Sequence, residues 1–456
     1  MLFTQHYLDC LSQASYVIGD ETTKQAVVVD PRRDVTDYLD EVAEHGMTIV
    51  GVINTHFHAD FVSGHLELAE KTGAWIGYGE AASPEFEFRA LKDGERIGLG
   101  DVTLEIMATP GHTPESISVL VREHADDEVA YGVLTGDALF IGDVGRPDLL
   151  ASVGATADEL GRKLYDSVQH KLMALPDAVR VFPGHGAGSA CGKNLSTEKQ
   201  STIGEQRRTN YACRPMSEED FVAVVTEGQP SAPSYFTFNA TLNKQQRATL
   251  LDDTVPALDE ADLTAAITDG AIVLDTRPAD EYTAAHLRGS VSVPVDGRTA
   301  ETVGMLLAPD QRIVLVAPEG LEQETATRLA RIGYDHVVGY LPDLDEHLVA
   351  HPQRAEQSSR LRADQLESLP AGAQLVDVRG PGEVAGGVIP GAVNIPLPEL
   401  SRRLDELDEH RPVIVNCAGG WRSNVAASYL RHAGFTDVSD LIGGYGAWAA
   451  ANPMAC

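Results

Sequence analysis

Four short β-rich runs in the first half of the chain each break into a loop that carries His or Asp. Met47-Thr-Ile-Val-Gly-Val-Ile53 leads into Asn54-Thr-His-Phe-His-Ala-Asp60, and Val102-Thr-Leu-Glu-Ile106 runs toward Thr109-Pro-Gly-His112. Val129 to Thr135 ends in Gly136-Asp137, and Val179-Arg-Val-Phe182 ends in Pro183-Gly-His185. Val, Ile and Thr crowd the first run, whose length suits a buried strand better than a helix. Strand-end loops are where α/β folds keep their chemistry. One such loop would mean little; four are specific, because a metal site needs ligands converging from separated elements. Ala26-Val-Val-Val-Asp30 reads as another strand, Val35 to His45 as an amphipathic helix, and Gly64 to Thr72 as a second helix.

The second half contains an internal repeat. Ala271-Ile-Val-Leu-Asp-Thr-Arg-Pro-Ala-Asp-Glu281 aligns without a gap on Ala373-Gln-Leu-Val-Asp-Val-Arg-Gly-Pro-Gly-Glu383, and Ile313-Val-Leu-Val-Ala317 falls opposite Val413-Ile-Val-Asn-Cys417. Each copy reads β-turn-helix-β-helix, which predicts two small α/β domains with parallel sheets. With 456 residues the chain exceeds one ordinary core. The expected organisation is a domain over 1–235, a connector over 236–260, and the two repeats over 261–355 and 360–456.

A balance of 35 basic against 68 acidic side chains gives a net charge of −33, which argues against nucleic acid or an acidic membrane as partner. No apolar run approaches a membrane span, and the first residues lack a secretory pattern, so a cytoplasmic protein is expected. Five scattered cysteines (Cys10, Cys191, Cys213, Cys417 and Cys456) make no disulfide framework. Cys191 and Cys213 follow the last metal loop, and either facing the pocket or plain burial fits them.

His-x-His-x-Asp after a strand, with the later Gly-His, Gly-Asp and Pro-Gly-His, resembles the metallo-β-lactamase superfamily. That resemblance implies an αββα sandwich with the metal at one edge. In the binuclear zinc hydrolases of the superfamily the motif continues with a further His, where this chain has Phe61. A phenyl ring offers no lone pair, so one ligand of a second metal position is missing. Two imidazoles and a carboxylate with open positions describe a non-haem Fe(II) site. Together with Ile141-Gly-Asp-Val-Gly-Arg-Pro-Asp148, the pattern is similar to the persulfide dioxygenases. The resemblance implies one mononuclear Fe(II) on His56, His112 and Asp137, with O2 as cosubstrate. His58, Asp60, His185 and Arg146 are expected to order those ligands or to face substrate, Arg146 as an anion contact; a weak second metal is the alternative for the first three, and a structural loop arginine the alternative for Arg146.

The second repeat carries Cys417-Ala-Gly-Gly-Trp-Arg-Ser423 between a strand and a helix. A thiol at a strand end, followed by Gly-rich backbone and a helix start, sits among N–H donors that favour thiolate. The loop resembles the rhodanese active loop. The resemblance implies Cys417 as the sulfur-accepting nucleophile and Arg422 as its cationic partner, with Ala418, Gly419, Gly420, Trp421 and Ser423 forming the cradle. Asp377 and Arg379 are expected to pair structurally. In the first repeat Ala317 replaces the Cys and the following loop lacks the Arg, so that copy is read as an inactive spacer.

The whole chain is therefore identified as a member of the persulfide dioxygenase–rhodanese fusions: an α/β multidomain protein with an αββα metallo-β-lactamase sandwich followed by two α/β rhodanese-like domains. The resemblance implies oxidation of a small-molecule thiol persulfide to sulfite and thiol in sulfide detoxification, coupled to sulfur transfer that forms or uses thiosulfate. A homo-oligomer is compatible with this organisation. Two rival readings stand beside it: a glyoxalase II-like zinc thioester hydrolase with an attached sulfurtransferase, and a sulfur carrier without oxygenase activity.

Overall fold

Strands in the first half bury both faces, so they read as near-continuous Val and Ile rather than as apolar–polar alternation. The structure, a computed structural model, describes residues 1–149, 156–250, 254–370 and 372–453; residues 251–253 of the expected connector and Cys456 lie outside them. It divides into two units, Met1–Ala232 with Phe236–Leu251, and Pro233–Tyr235 with Asp252–Cys456.

In the first unit β1 (Leu2–Leu8), β2 (Gln13–Asp20), β3 (Gln25–Val29), β4 (Thr48–Ile53), β5 (Trp75–Gly79) and β6 (Arg89–Leu91) form one sheet in chain order. A second sheet contains β7 (Arg96–Gly98), β8 (Thr103–Ala108), β9 (Ile117–Arg122), β10 (Gly132–Gly136), β11 (Arg180–Pro183) and β12 (Ser201–Thr202), also in sequence order. Strand geometry sends alternate side chains to opposite faces. Tyr16, Ile18, Val27 and Val29 accordingly enter the core between the sheets with Leu104, Ile106, Val119 and Val121. Their neighbours Val17, Ala26 and Val28 pack outward on Tyr38, Val42 and Leu68, from helices Thr36–Glu44 and His65–Thr72. On the far side Leu120, Val133 and Val181 meet Leu164, Phe221 and Val225 of helices Ala157–Tyr165 and Glu218–Thr226. This is the αββα sandwich expected from the sequence.

Strands β3 to β6 run parallel, as do β10 and β11. The strand ends are tied in pairs: Ile117 N–H at the start of β9 donates to the Thr55 carbonyl after β4 (2.8 Å), and Gly184 N–H after β11 donates to the Gly136 carbonyl at the end of β10 (2.9 Å). Part of the expected connector is built into this unit. Tyr235–Leu242 is helical. Buried Asn243 donates through Nδ2 to the carbonyls of His58 and Phe61 (2.8 Å each) and accepts from Ser63 N–H (2.9 Å). Its Ser/Pro-rich approach carries the composition of a linker, and the buried amide that helps anchor it has no sequence signature.

The second unit holds the two repeats. β13 (Ile272–Asp275), β15 (Val291–Ser292), β16 (Ile313–Val316) and β17 (Val337–Tyr340) form a parallel sheet in the order β15-β13-β16-β17. A short antiparallel pair, β14 (His286–Leu287) with β18 (Ala355–Glu356), flanks it. The second repeat uses β19 (Ser359–Leu361), β20 (Gln374–Asp377), β21 (Val393–Asn394), β22 (Val413–Asn416) and β23 (Val438–Leu441) in the order β19-β23-β22-β20-β21. The pairings Leu274↔Leu315 and Val376↔Val415 are equivalent, so the gapless alignment of the sequences is reproduced in register.

Candidate metal centre and thiol loop

The loops after β4, β8 and β10 bring His56, His112 and Asp137 together, each 1% exposed. One ligand atom from each lies within 4.8 Å of the others. His56 Nε2 and His112 Nε2 stand 3.8 and 3.5 Å from Asp137 Oδ2. The rings of the two histidines meet edge to face at 4.9 Å.

Their orientation follows from the opposite ring nitrogens. His112 Nδ1–H donates to the Arg146 carbonyl (2.9 Å), which turns a lone pair on Nε2 toward Asp137. His56 Nδ1 pairs with Thr55 Oγ1 (3.0 Å), and Thr55 donates N–H and Oγ1–H to the Asp30 carboxylate (2.7 and 2.8 Å). Asp30 also pairs with His58 Nε2 (2.9 Å). Burial and the neighbouring His58 hold the His56 imidazole well below its ordinary pKa, so it stays neutral. Burial alone would raise Asp137, but His185, His56 and His112 hold it well below the carboxylate range. Gly184 and Gly145 flank it so closely that an added Cβ would come within 2.6 Å of Asp137 Oδ1 and 2.0 Å of its carbonyl.

His185 sits between two carboxylates, Nδ1 at 2.8 Å from Asp137 Oδ1 and Nε2 at 2.7 Å from Asp60 Oδ2. Burial opposes its charge, yet Asp137 and Asp60 raise its pKa well above the ordinary value. This contact secures one Asp137 oxygen and leaves Oδ2 for the cluster. Phe61 is fully buried beside it, its ring 4.3 Å from His58 and 6.5 Å from His185. Cys191 Sγ joins Asp60 and His185 within the same 4.8 Å limit, and burial together with Asp60 and Asp137 raises that thiol's pKa. Burial pushes Cys213 up to about 12, an inert core thiol.

Of the two roles open to Arg146, its side chain is engaged in the structural one. Its guanidinium donates to Asp148 (2.7 Å to each oxygen), Ala190 and Pro230, and only its carbonyl reaches the site, through His112. Sequence reasoning missed Asp30, Thr55 and Glu115; the last accepts Phe57 N–H at 3.0 Å. Asp30 had a readable signal, as the carboxylate ending the strand beside β4.

The donor set fits a transition metal. His56 Nε2 and Asp137 Oδ2 are buried without a hydrogen-bond partner, a state that costs on the order of 1–3 kcal/mol per group unless something else is bound. Two imidazoles and one carboxylate suit iron or zinc rather than calcium or magnesium.

At the second site Cys417 is buried at the end of β22, and helix Trp421–His432 begins four residues on. Gly420 takes φ +100° and donates its N–H to Cys417 Sγ at 3.1 Å. Ser423 Oγ lies 3.5 Å from the sulfur. Gly444 approaches so closely that a Cβ there would meet the Cys417 carbonyl at 2.1 Å. Arg422, at the loop's edge, forms a bidentate pair with Glu383 (2.8 and 2.6 Å). Trp421 Nε1–H donates to Asp296 of the first repeat (3.1 Å), and the indole covers Gly297. Asp377 and Arg379 pair bidentately, as do Asp275 and Arg277. Ala317 takes the place of Cys417 at the end of β16.

The metallo-beta-lactamase superfamily model matches residues 8–185, and the rhodanese-like domain model matches 259–342 and 362–451. Mitochondrial persulfide dioxygenase ETHE1 of Bos taurus is 29% identical over 231 residues, 50% of this chain and 82% of that relative. An uncharacterized Mycobacterium leprae protein is 31% identical over 240 residues, 46% of this chain and 97% of its own length. A metallo-beta-lactamase of Staphylococcus aureus subsp. aureus COL, known from a crystal structure, is 34% identical with a TM-score of 0.67, covering 74% of this chain and 98% of that one. Among the described residues no helix is long and apolar enough to cross a membrane. The chain belongs to the metallo-beta-lactamase superfamily, has persulfide dioxygenases among its relatives, and joins that fold to two rhodanese-like domains.

Proposed function

We propose that the protein oxidises a low-molecular-weight thiol persulfide and passes sulfane sulfur through Cys417. The net oxidation takes RSSH, O2 and H2O to RSH, sulfite and two protons. The observation that carries this reading is the buried, unpartnered pair His56 Nε2 and Asp137 Oδ2 beside His112, next to a phenyl ring at Phe61. His56, His112 and Asp137 would hold one ferrous ion. When bound, it supplies the one-electron chemistry that O2 requires to react with closed-shell sulfur. Asp30, through Thr55, and the Arg146 carbonyl fix the two imidazoles in the ligating tautomer. His185 holds the other Asp137 oxygen. Phe61 and Phe140, 6.5 and 6.2 Å from His185, keep water from that side of the site.

At the thiol loop, the Gly420 N–H stabilises negative charge on sulfur. Sulfite attacks the outer sulfur of a Cys417 persulfide; the S–S bond of the persulfide breaks, a new S–S bond makes thiosulfate, and the Cys417 thiolate leaves. The reverse exchange loads Cys417 from thiosulfate. We assign the metal chemistry to residues 1–235, an inactive supporting role to 261–355 and sulfur transfer to 360–456, in the cytoplasm.

Purification under argon with iron and zinc quantitation, alongside oxygen uptake on glutathione persulfide, tests the assignment. His112→Ala should abolish oxygen uptake and spare thiosulfate:cyanide transfer, and Cys417→Ser should do the converse. If each variant keeps both activities, the division of labour is wrong. A two-metal thioester hydrolase is favoured by one observation, the clustering of Asp60, His185 and Cys191. Two zinc equivalents with thioester turnover and no oxygen uptake would establish it instead.

A further inference from the structure

The first repeat has lost its nucleophile, yet it holds a second group of metal-ligating side chains. Helix Glu260–Thr268 opens the repeat and helix Leu344–Ala350 closes it. His347 and His351 are four residues apart, the spacing that stacks two side chains on one helix face. Their rings are 4.8 Å apart. Both turn toward Glu260 Oε2, His347 Nε2 at 3.5 Å and His351 Nε2 at 3.6 Å. The three donor atoms lie within 4.8 Å of one another.

These distances exceed those of a charge-assisted hydrogen bond, which closes to about 2.7–2.9 Å. They match the separation of roughly 3.3 Å between donors around a tetrahedral zinc with bonds of about 2.0–2.1 Å. The other carboxylate oxygen is already committed. Glu260 Oε1 accepts from Arg354 Nη2 at 2.5 Å and from Thr264 Oγ1 at 3.1 Å, and Arg354 also donates to Thr264 Oγ1 at 2.6 Å. This clamp fixes the carboxylate with Oε2 facing the histidines. The His347 side chain is only 9% exposed and its Nε2 is buried with no partner, as is Glu260 Oε2. A buried imidazole nitrogen and a buried carboxylate oxygen aimed at one point, neither satisfied, call for a cation between them. Arg354 supplies charge to the far oxygen only.

We propose that Glu260, His347 and His351 bind a divalent ion of the zinc class, which pins the first helix of the inactive repeat to its last. Two imidazoles select zinc, cobalt or nickel over magnesium and calcium. The His351 side chain is a third exposed, so the cluster lies close enough to the surface for an ion to reach it from solvent. The site would give the catalytically silent copy a structural function that needs neither a thiol nor an anion cradle.

The test uses the full chain with its other metal centre loaded with iron under argon, titrated with Zn2+ against a chromophoric chelator. The wild type should bind one more equivalent of Zn2+ than His351→Asn, and Zn2+ should raise the unfolding midpoint of the wild type alone. Glu260→Gln, which keeps the shape of the side chain, should weaken the extra equivalent by at least about tenfold. His351 is a third exposed, so its replacement leaves the packing intact; equal unfolding midpoints in chelator verify this. Identical zinc stoichiometry and affinity in the wild type and both variants would overturn the proposal and leave an ion-pair cluster only.

Discussion

If Arg422 receives the sulfur anion in the proposed transfer, Glu383 competes with that anion for the guanidinium, and neutralising Glu383 should tighten substrate binding. The Arg422–Glu383 pair is bidentate at 2.6 and 2.8 Å, but its side chains are 33% and 41% exposed. Arg422 holds the Glu383 carboxyl below its ordinary pKa through these hydrogen bonds, with burial opposing, so the carboxylate is charged throughout the neutral range. At that exposure an ion pair is worth about 0.2–1 kcal/mol after solvent screening. In that transfer, thiosulfate or sulfite would have to displace Glu383 to reach Arg422, and that amount would be subtracted from its binding. Glu383→Gln removes the competing charge while keeping the side chain's length. The KM for thiosulfate in thiosulfate:cyanide transfer should fall by up to about fivefold, which is 1 kcal/mol. The gain should shrink in high salt. A KM that rises in Glu383→Gln would refute the argument, because Glu383 would then be orienting Arg422 for the anion rather than competing with it.

Glu67, 1% exposed, accepts from Arg33 and Arg247; Glu67→Gln removes the buried carboxylate these two guanidinium groups share and should destabilise the first unit by about 3–5 kcal/mol, read as a fall in its thermal midpoint. Burial, with Arg431 and Arg277, lowers His286 to about 4. A histidine depressed in the folded state loses stability as pH falls from about 6.5 toward 4, because the unfolded chain binds the extra proton. The loss should reach on the order of 3 kcal/mol, and the gap in urea midpoint between wild type and His286→Asn should narrow over that window. Gly297→Val places a Cβ 2.4 Å from the Trp421 ring and should displace the indole; thiosulfate:cyanide kcat/KM should drop severalfold with a shift in tryptophan fluorescence, while oxygen uptake is unchanged.

What could be read in advance follows the range of the forces involved. The convergence of His56, His112 and Asp137 was legible because His and Asp at strand ends leave a local signature, and four such signatures reinforce each other. The repeat was legible because parallel β13–β16 and β20–β22 pairings demand matched apolar runs. Long-range polar contacts were not. Asn243 reaches the Phe61 carbonyl across 182 positions, and nothing around it marks the target. Arg146 was assigned from its charge, but burial commits a guanidinium to whichever acceptors surround it, here Asp148, Ala190 and Pro230. Cys191 gave no spacing signal because Asp60 arrives from the loop after β4, and its separation from His185 in its own loop matches no standard ligand spacing.

The indole of Trp421 rests on Gly297 and is tethered to Asp296, so one side of the Cys417 loop is furnished by the repeat that carries Ala317 in place of the thiol. Selection on the copy that holds the thiol therefore reaches back into the copy that lacks it. A gene cut back to the last repeat would encode an intact nucleophile in a vestibule missing a side, and a drifting substitution at either of those two positions would be felt as a kinetic defect next door.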